Sequence, residues 1–390
     1  MSQNSTRRTF LSSGIAGAAA AAMAPNLFAA RSLAQERAAE PKGRLLILGG
    51  TVFLGPKLVE QALAAGYEVT LFNRGKSGPE VFPELDTRIG DRNTGDYASL
   101  EKGEWDLVID TSCYIPGHVT AAIEAIKGRA KHYVVVSTIS VYASAEEDDS
   151  SESIAVGEDG KLGEIPAELL PEFQTISDVG KHGGQYYGAL KALCERAARA
   201  AMPEGAVTIV RPGLIVGEGD RSDRYTYWPV RVARGGEMIA PGDPDAGVQY
   251  IDVEDLAVFT FRASARRTGK TYNAVGFSEK LTMKGMIESC IPSGERKPVD
   301  LKITWIDDQF LLDQGVGQWM ELPLWIAGGG RHYQNTLAIE DGLTFRPLAD
   351  TAAATERWHR ETRPENHVWR AGLNADKEAK VLAAWHARAK

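Results

Sequence analysis

The stretch LLILGGTVFLGP, Leu45 to Pro56, constrains this chain more than any other. A short apolar run stops at two glycines, and a third, Gly55, stands where a helical pattern begins with Leu58, Val59, Ala62 and Leu63 on one face. A strand, a glycine turn and a helix in that order read as the opening βα unit of a parallel sheet. Glycines in such a turn let the backbone bend tightly and approach an anion at the helix N-terminus. Gly49, Gly50 and Gly55, with Thr51, Phe53 and Leu54 among them, are therefore expected to meet the pyrophosphate of a dinucleotide.

Further short runs continue the pattern: YEVTLFNR (Tyr67–Arg74), DLVIDTS (Asp106–Ser112), HYVVVST (His132–Thr138) and AVTIVRPG (Ala206–Gly213), with a helix around Val119–Ile126. The expected fold class is α/β, a Rossmann-type doubly wound parallel sheet over residues 43–215 with a smaller C-terminal substrate lobe over 216–350. Segment 248–265 should return to the core, and 351–390 should form an exposed helical tail that Leu382 and Trp385 dock onto the body. An insert, Ala143–Lys181, carries the acidic run Glu146–Ser153 and reads as a solvated loop.

The N-terminus reads as an address. Arg7 and Arg8 precede Thr9, Phe10, Leu11 and an Ala/Gly-rich run, with no acid before Glu36, the order of a twin-arginine export signal over residues 1–34. Cleavage is expected after Ala30 or Ala34. The run Gly14–Ala24 is too short for a stable membrane anchor, so a soluble periplasmic or extracellular product is expected, with the export machinery as a partner. Removing the leader takes three arginines and no acid, moving the formal charge from −8 to −11. A net acidic body argues against nucleic acid as a partner. Cys113, Cys194 and Cys290 are widely spaced and the histidines show no ligand spacing, so neither a disulfide framework nor a metal is expected. A homodimer is left open.

Tyr187 and Lys191 lie four residues apart in a strongly helical segment and share one face. An ammonium beside a phenol favours the phenolate, which makes the tyrosine a usable acid or base. Tyr186 is the rival phenol, five residues from Lys191. Thr138, or alternatively Ser137, places a hydroxyl just past a buried strand, where it could hold a substrate oxygen. Asn73 and Arg74 end the second strand where an NAD site commonly has an acid for the ribose; an arginine there can meet a 2′-phosphate, which tilts the cofactor toward NADP. In the lobe, Arg221, Arg224, Tyr225, Tyr227, Trp228 and Arg231 suit stacking on a ring while pairing with an anion, or else packing of the lobe itself.

The ordered set GGTVFLG, VVVSTISVY, YGALK, RPGLIVGEGD and VQYIDVEDLA resembles the extended short-chain dehydrogenase/reductase family, the NAD(P)-dependent epimerase/dehydratases, over roughly residues 44–265. The resemblance implies a Ser/Thr, Tyr, Lys catalytic set, here Thr138, Tyr187 and Lys191, with Lys191 also on the nicotinamide ribose. It implies that Asp91 and Arg92 of IGDRN lie by the adenine, that Thr111 lines the cofactor site, and that Arg211 and Pro212 pass the nicotinamide. Asp252 and Asp255 are expected to be structural. Two departures stand out: Val52 replaces the fingerprint's middle glycine, as in an atypical branch with non-catalytic nucleic-acid binders, and 49 residues separate Thr138 from Tyr187, a long gap for this family.

Three functions follow. The preferred one is an exported, redox-neutral epimerase/dehydratase-like enzyme acting on a small-molecule substrate, a sugar, glycoside or related hydroxyl or carbonyl compound, with NADP or NAD retained. A cofactor regenerated within each cycle needs no external pool. The alternatives are a net NADP-dependent reductase or dehydrogenase and a nucleotide- or RNA-binding protein without catalysis.

Overall fold

The computed structural model describes residues 42–144 and 155–388, apart from 79, 294–297 and 299; residues 1–34, expected to be an export signal, and the acidic run Glu146–Ser153 lie outside the described residues. The chain first lays down β1 (Arg44–Leu48), α1 (Leu54–Ala64), β2 (Glu68–Asn73), β3 (Asp86–Ile89), β4 (Leu107–Asp110), α2 (Pro116–Ala125), β5 (Tyr133–Val136), α3 (Tyr187–Ala201) and β6 (Val207–Pro212). Beyond it come β7 (Leu214–Val216), α4 (Tyr227–Arg234), β8 (Glu237–Pro241), β9 (Gly247–Val248), β10 (Tyr250–Asp252), α5 (Val253–Ala265) and β11 (Thr271–Ala274). The remainder is β12 (Leu281–Thr282), α6 (Met283–Ser289), β13 (Lys302–Ile306), α7 (Asp308–Asp313), α8 (Thr336–Glu340), α9 (Leu348–Thr362) and α10 (Ala375–Arg388).

Seven strands form one parallel sheet in the order β11-β6-β5-β4-β1-β2-β3. Its strand residues alternate between two cores. Leu45, Ile47, Leu71, Ile109 and Val134 meet α1 and α5 on one face. On the other, Leu46, Leu48, Val108, Tyr133 and Val135 meet α2 and α3. Burial on both faces explains why these strands read as continuous apolar runs. β3 escapes that pattern because it is a short, largely exposed edge strand of sequence DTRI. β11 closes the opposite edge, so the return to the core runs past residue 265 to Ala274.

Asp252 caps α5, accepting from Glu254 N at 2.8 Å, and accepts from Thr351 Oγ1 at 2.5 Å; Asp255 accepts from Arg346 N at 3.0 Å. Both acids thus hold the return segment against the chain that follows it.

The lobe has its own core, and it decides between two readings of the aromatic cluster and extends the expected docking of the C-terminal segment. Tyr225, Tyr227 and Trp228 are at most 4% exposed and pack with Met286, Ile306 and Trp325, while Trp228 Nε1 donates to Pro323 O at 2.9 Å. Large aromatic surfaces are more useful to a small core than to a solvated pocket, and these three do not line the cavities described below. Residues 351–388 dock through Leu382 and Trp385 as expected, Trp385 packing on Phe310 at 5.0 Å, but they are more than an exposed tail, since Ala352, Leu373 and Val381 belong to the same core.

Arg231, read as an anion ligand, is instead the anchor of that segment. Its Nε lies 2.8 Å from Glu378 Oε2, and its other nitrogens donate to Gly235 O and Glu237 O. Glu378 Oε1 also accepts from Ile239 N at 3.1 Å. Removing one member of a buried, hydrogen-bonded pair strands the other charge. Glu378→Ala should therefore lose about 3–5 kcal/mol of stability in urea unfolding, and Glu378→Gln, which keeps an acceptor, should lose less.

Candidate active site

The site starts at the glycine turn. Gly49 and Gly50 have φ of +114° and +95°, and a Cβ on Gly49 would lie 2.2 Å from Thr111 Oγ1. A Cβ on Gly55 would lie 2.5 Å from Gly50 Cα, so only glycine lets α1 begin this close to the turn. α1 has no side-chain cap and no acid in its first turn. Its leading amides and dipole are thus presented to an anion rather than to a protein carboxylate.

These amides border a cleft of about 510 Å³. Gly49, Gly50, Thr51, Phe53, Leu54, Asn73, Arg74, Asp91, Arg92, Thr111 and Lys191 all line it, with Gly55 packed behind the turn. Val52 is on the wall as well, 38% exposed. Arg74 and Lys76 are exposed on the rim after β2, and Asn73 Oδ1 accepts from Gly75 N at 2.7 Å. Asp91 Oδ1 accepts from Asn93 N, and Arg92 is buried against Asp110 at 2.9 Å.

Arg211 lines neither cavity, contrary to expectation. It forms a buried pair with Glu195 at 2.6 Å and donates to the Tyr142 hydroxyl and Glu158 O. That guanidinium ties β6 to α3 and is turned away from the cleft; Pro212 lines a second cavity instead.

That second cavity, about 480 Å³, shares Phe53, Ser137, Tyr187, Ile215 and Asp220 with the first. Tyr187 therefore stands where the two meet. Tyr186 packs against Phe173 and His182 and is not part of either wall, which separates the two rival phenols. A signal in the sequence went unused here: a Cβ on Gly188 would lie 1.7 Å from Ser140 O, so glycine after Tyr187 lets the start of α3 press on the turn that carries Thr138.

Thr138 lines the second cavity, accepts from Ser140 N at 3.1 Å and donates to Ser140 Oγ at 3.2 Å. Ser137 donates to the buried Glu195, which commits its proton elsewhere.

Lys191 is 3% exposed. Its Nζ donates to Val136 O at 2.6 Å and to Cys113 Sγ at 3.3 Å, and lies 5.1 Å from the centroid of the Tyr114 ring. Burial pushes the Cys113 thiol up to about 11, so it stays protonated at neutral pH. A carbonyl, a neutral thiol and an aromatic face thus surround the ammonium. Tyr114 is also 6.4 Å from the Tyr187 ring. Tyr114, Lys76, Ser77 and Arg370 on the first wall, and Trp319, Arg331 and Tyr333 on the second, were not foreseen. They come from loops without periodicity, though Tyr114 follows a recognisable strand end.

Residues 45–275 match the NAD dependent epimerase/dehydratase family. A curated relative, the chloroplast stem-loop binding protein of 41 kDa b of Arabidopsis thaliana, is 29% identical over 123 residues, 28% of this chain and 32% of that protein, so the match spans about a third of the relative's length. Among solved structures, the UDP-glucose-4-epimerase of Stenotrophomonas maltophila with bound NAD and formylated UDP-arabinopyranose superposes with a TM-score of 0.56 at 17% identity, covering 82% of this chain and 98% of that one. The human epimerase family protein SDR39U1 with NADPH gives 0.53 at 17% identity, covering 81% and 99%. The structural likenesses speak for the fold; the family match, which takes in both the glycine turn and the Tyr187–Lys191 helix, is what shows that this chain belongs to the NAD dependent epimerase/dehydratase family.

Proposed function

We propose that the protein is an exported epimerase/dehydratase-type enzyme that acts on a hydroxyl of a sugar, glycoside or related compound and keeps its dinucleotide through turnover. The observation that carries this reading is the position of Tyr187, shared by a glycine-lined cleft and a second cavity suited to a small molecule. The cleft fits a dinucleotide, because its uncapped helix start, glycine turn and basic rim match a pyrophosphate and an adenosine ribose. A bound nicotinamide supplies a place for hydride to go and to return from.

Tyr187 takes the proton of the substrate hydroxyl, Thr138 holds the oxygen, and Lys191 keeps positive charge beside the phenolate. Tyr114 screens that ammonium from water. The twin-arginine reading of residues 1–34 supports retention, since that route carries folded proteins and no free nucleotide pool is expected outside the cytoplasm. Arg74 and Lys76, two cations on the described wall after β2, support NADP. They also favour the second reading, a net NADP-dependent reductase.

Purified from the exported fraction and then denatured, the protein should release stoichiometric NADP(H) or NAD(H) by mass spectrometry. An empty protein, or none in that fraction, would overturn retention or export and leave the reductase or a non-catalytic binder. Tyr187→Phe should lower kcat by about 100-fold or more while nucleotide affinity by calorimetry stays the same; lost binding in a folded variant would refute the role given to the phenol. Arg74→Ala should weaken NADP binding by about tenfold, roughly 1.4 kcal/mol, and leave NAD binding unchanged. Equal losses for both nucleotides would remove the argument for NADP.

A further inference from the structure

Among the described residues, the second cavity contains a cation with no carboxylate at ion-pair distance. Arg224 is half-buried in its wall, on the loop between β7 and α4. Its Nε donates to Ser222 Oγ at 3.1 Å, and its guanidinium carbon lies 5.8 Å from the centroid of the Trp319 ring. Among the described residues no carboxylate comes within ion-pair distance of it; Asp220 is its acidic neighbour, and that carboxylate already accepts from Ser222 N at 2.8 Å and Ser222 Oγ at 2.9 Å. Asp223, next in the chain, is turned the other way, toward His367 at 2.9 Å and Arg370 N at 3.0 Å.

Holding a guanidinium half out of water without a counter-ion is unfavourable unless something else brings the anion. The rest of the wall fits a ring bearing one. Arg331 adds a second guanidinium, Trp319, Leu324 and Ile326 add apolar surface, and Gln249 and Ser140 add polar groups. Tyr187 lines the same chamber and lies within the electrostatic reach of Arg224. An oxyanion seated on Arg224 would therefore sit in the same chamber as the reacting hydroxyl.

Resting on the function proposed above, we propose that Arg224 is the specificity-determining residue of the second cavity and that the substrate is an anionic monosaccharide, with a carboxylate or phosphate on the sugar that is turned over. A guanidinium receives either group through two parallel N–H donors, and Trp319 behind it fixes its plane.

The test uses the nucleotide-loaded, full-length enzyme and calorimetry with glucuronate and galacturonate, glucose 6-phosphate and galactose 6-phosphate, the parent neutral sugars, and UDP-glucose. At least one acid or phosphate should bind about tenfold or more tightly than its neutral parent, as a charge-assisted pair requires. Arg224→Gln should erase that preference without loss of bound nucleotide, and Arg224→Lys should restore part of it. Preference for acids over phosphates would name the carboxylate, and the reverse the phosphate. Equal binding of neutral and anionic sugars, an Arg224→Gln loss that is the same for both, no binding in any series, or Arg224-dependent binding of UDP-glucose alone would overturn the proposal. A protein that carries no nucleotide, or a Tyr187→Phe variant that still turns over, would instead sink the underlying function; a loaded, Tyr187-dependent enzyme indifferent to sugar charge sinks only this inference.

Discussion

The rest of the structure depends on the contact between Gly55 and Gly50. A helix that begins against the backbone of the turn before it must lie close to the sheet, and its first amides must face outward past the end of β1. Strand order then does the rest. β1 sits between β4 and β2, so loops from both neighbours reach the mouth of the turn, bringing Thr111 and Tyr114 from one side and Asn73 to Lys76 from the other. One crowded backbone contact therefore determines where an anion can be held and which side chains surround it.

The end of the cleft at Tyr187 is built by a second contact of the same kind. Gly188 lets α3 start against Ser140 O, and Lys191, one turn on, reaches under the sheet to Val136 O. The ammonium is held by neutral acceptors and a ring, so its charge is not cancelled by a fixed carboxylate. It remains available to whatever negative charge develops at Tyr187. The neighbouring Arg211–Glu195 pair shows the opposite arrangement, in which two charges neutralise each other while joining β6 to α3.

Much of this was legible in the sequence, and the reasons are specific. The buried strands announced themselves as unbroken apolar runs because both faces are covered, and the glycines mattered because their positions admit no side chain. β3 and β11 were missed because four polar or mixed residues at a sheet edge carry no periodic signal. Arg211 and Arg231 looked like ligands because a sequence shows a charge and not its partner; Glu195 and Glu378, 16 and 147 residues away, decided both cases. The cluster YTYWPVR stayed open between two readings for a related reason, since aromatic residues that would suit a sugar also suit a small core, and only topology chooses between them. The long gap before Tyr187 has a physical place too: Phe173, Leu169 and Ile165 pack beside Ile115 and Leu190, so described parts of the insert cover the flank of α3.

The clasp around Asp223 carries a consequence for the timing of assembly. This carboxylate gathers His367, the Arg370 amide and Arg363 from near the end of the chain, and Arg370 in turn forms part of the nucleotide cleft. The glycine turn at the opposite side of that cleft lies more than 300 residues earlier in the sequence. A ribosome therefore finishes one wall of the cleft more than 300 residues before the other. The Rossmann strands can pair while synthesis continues, but the cleft is whole only after residues 363–370 have emerged and Asp223 has found its partners there.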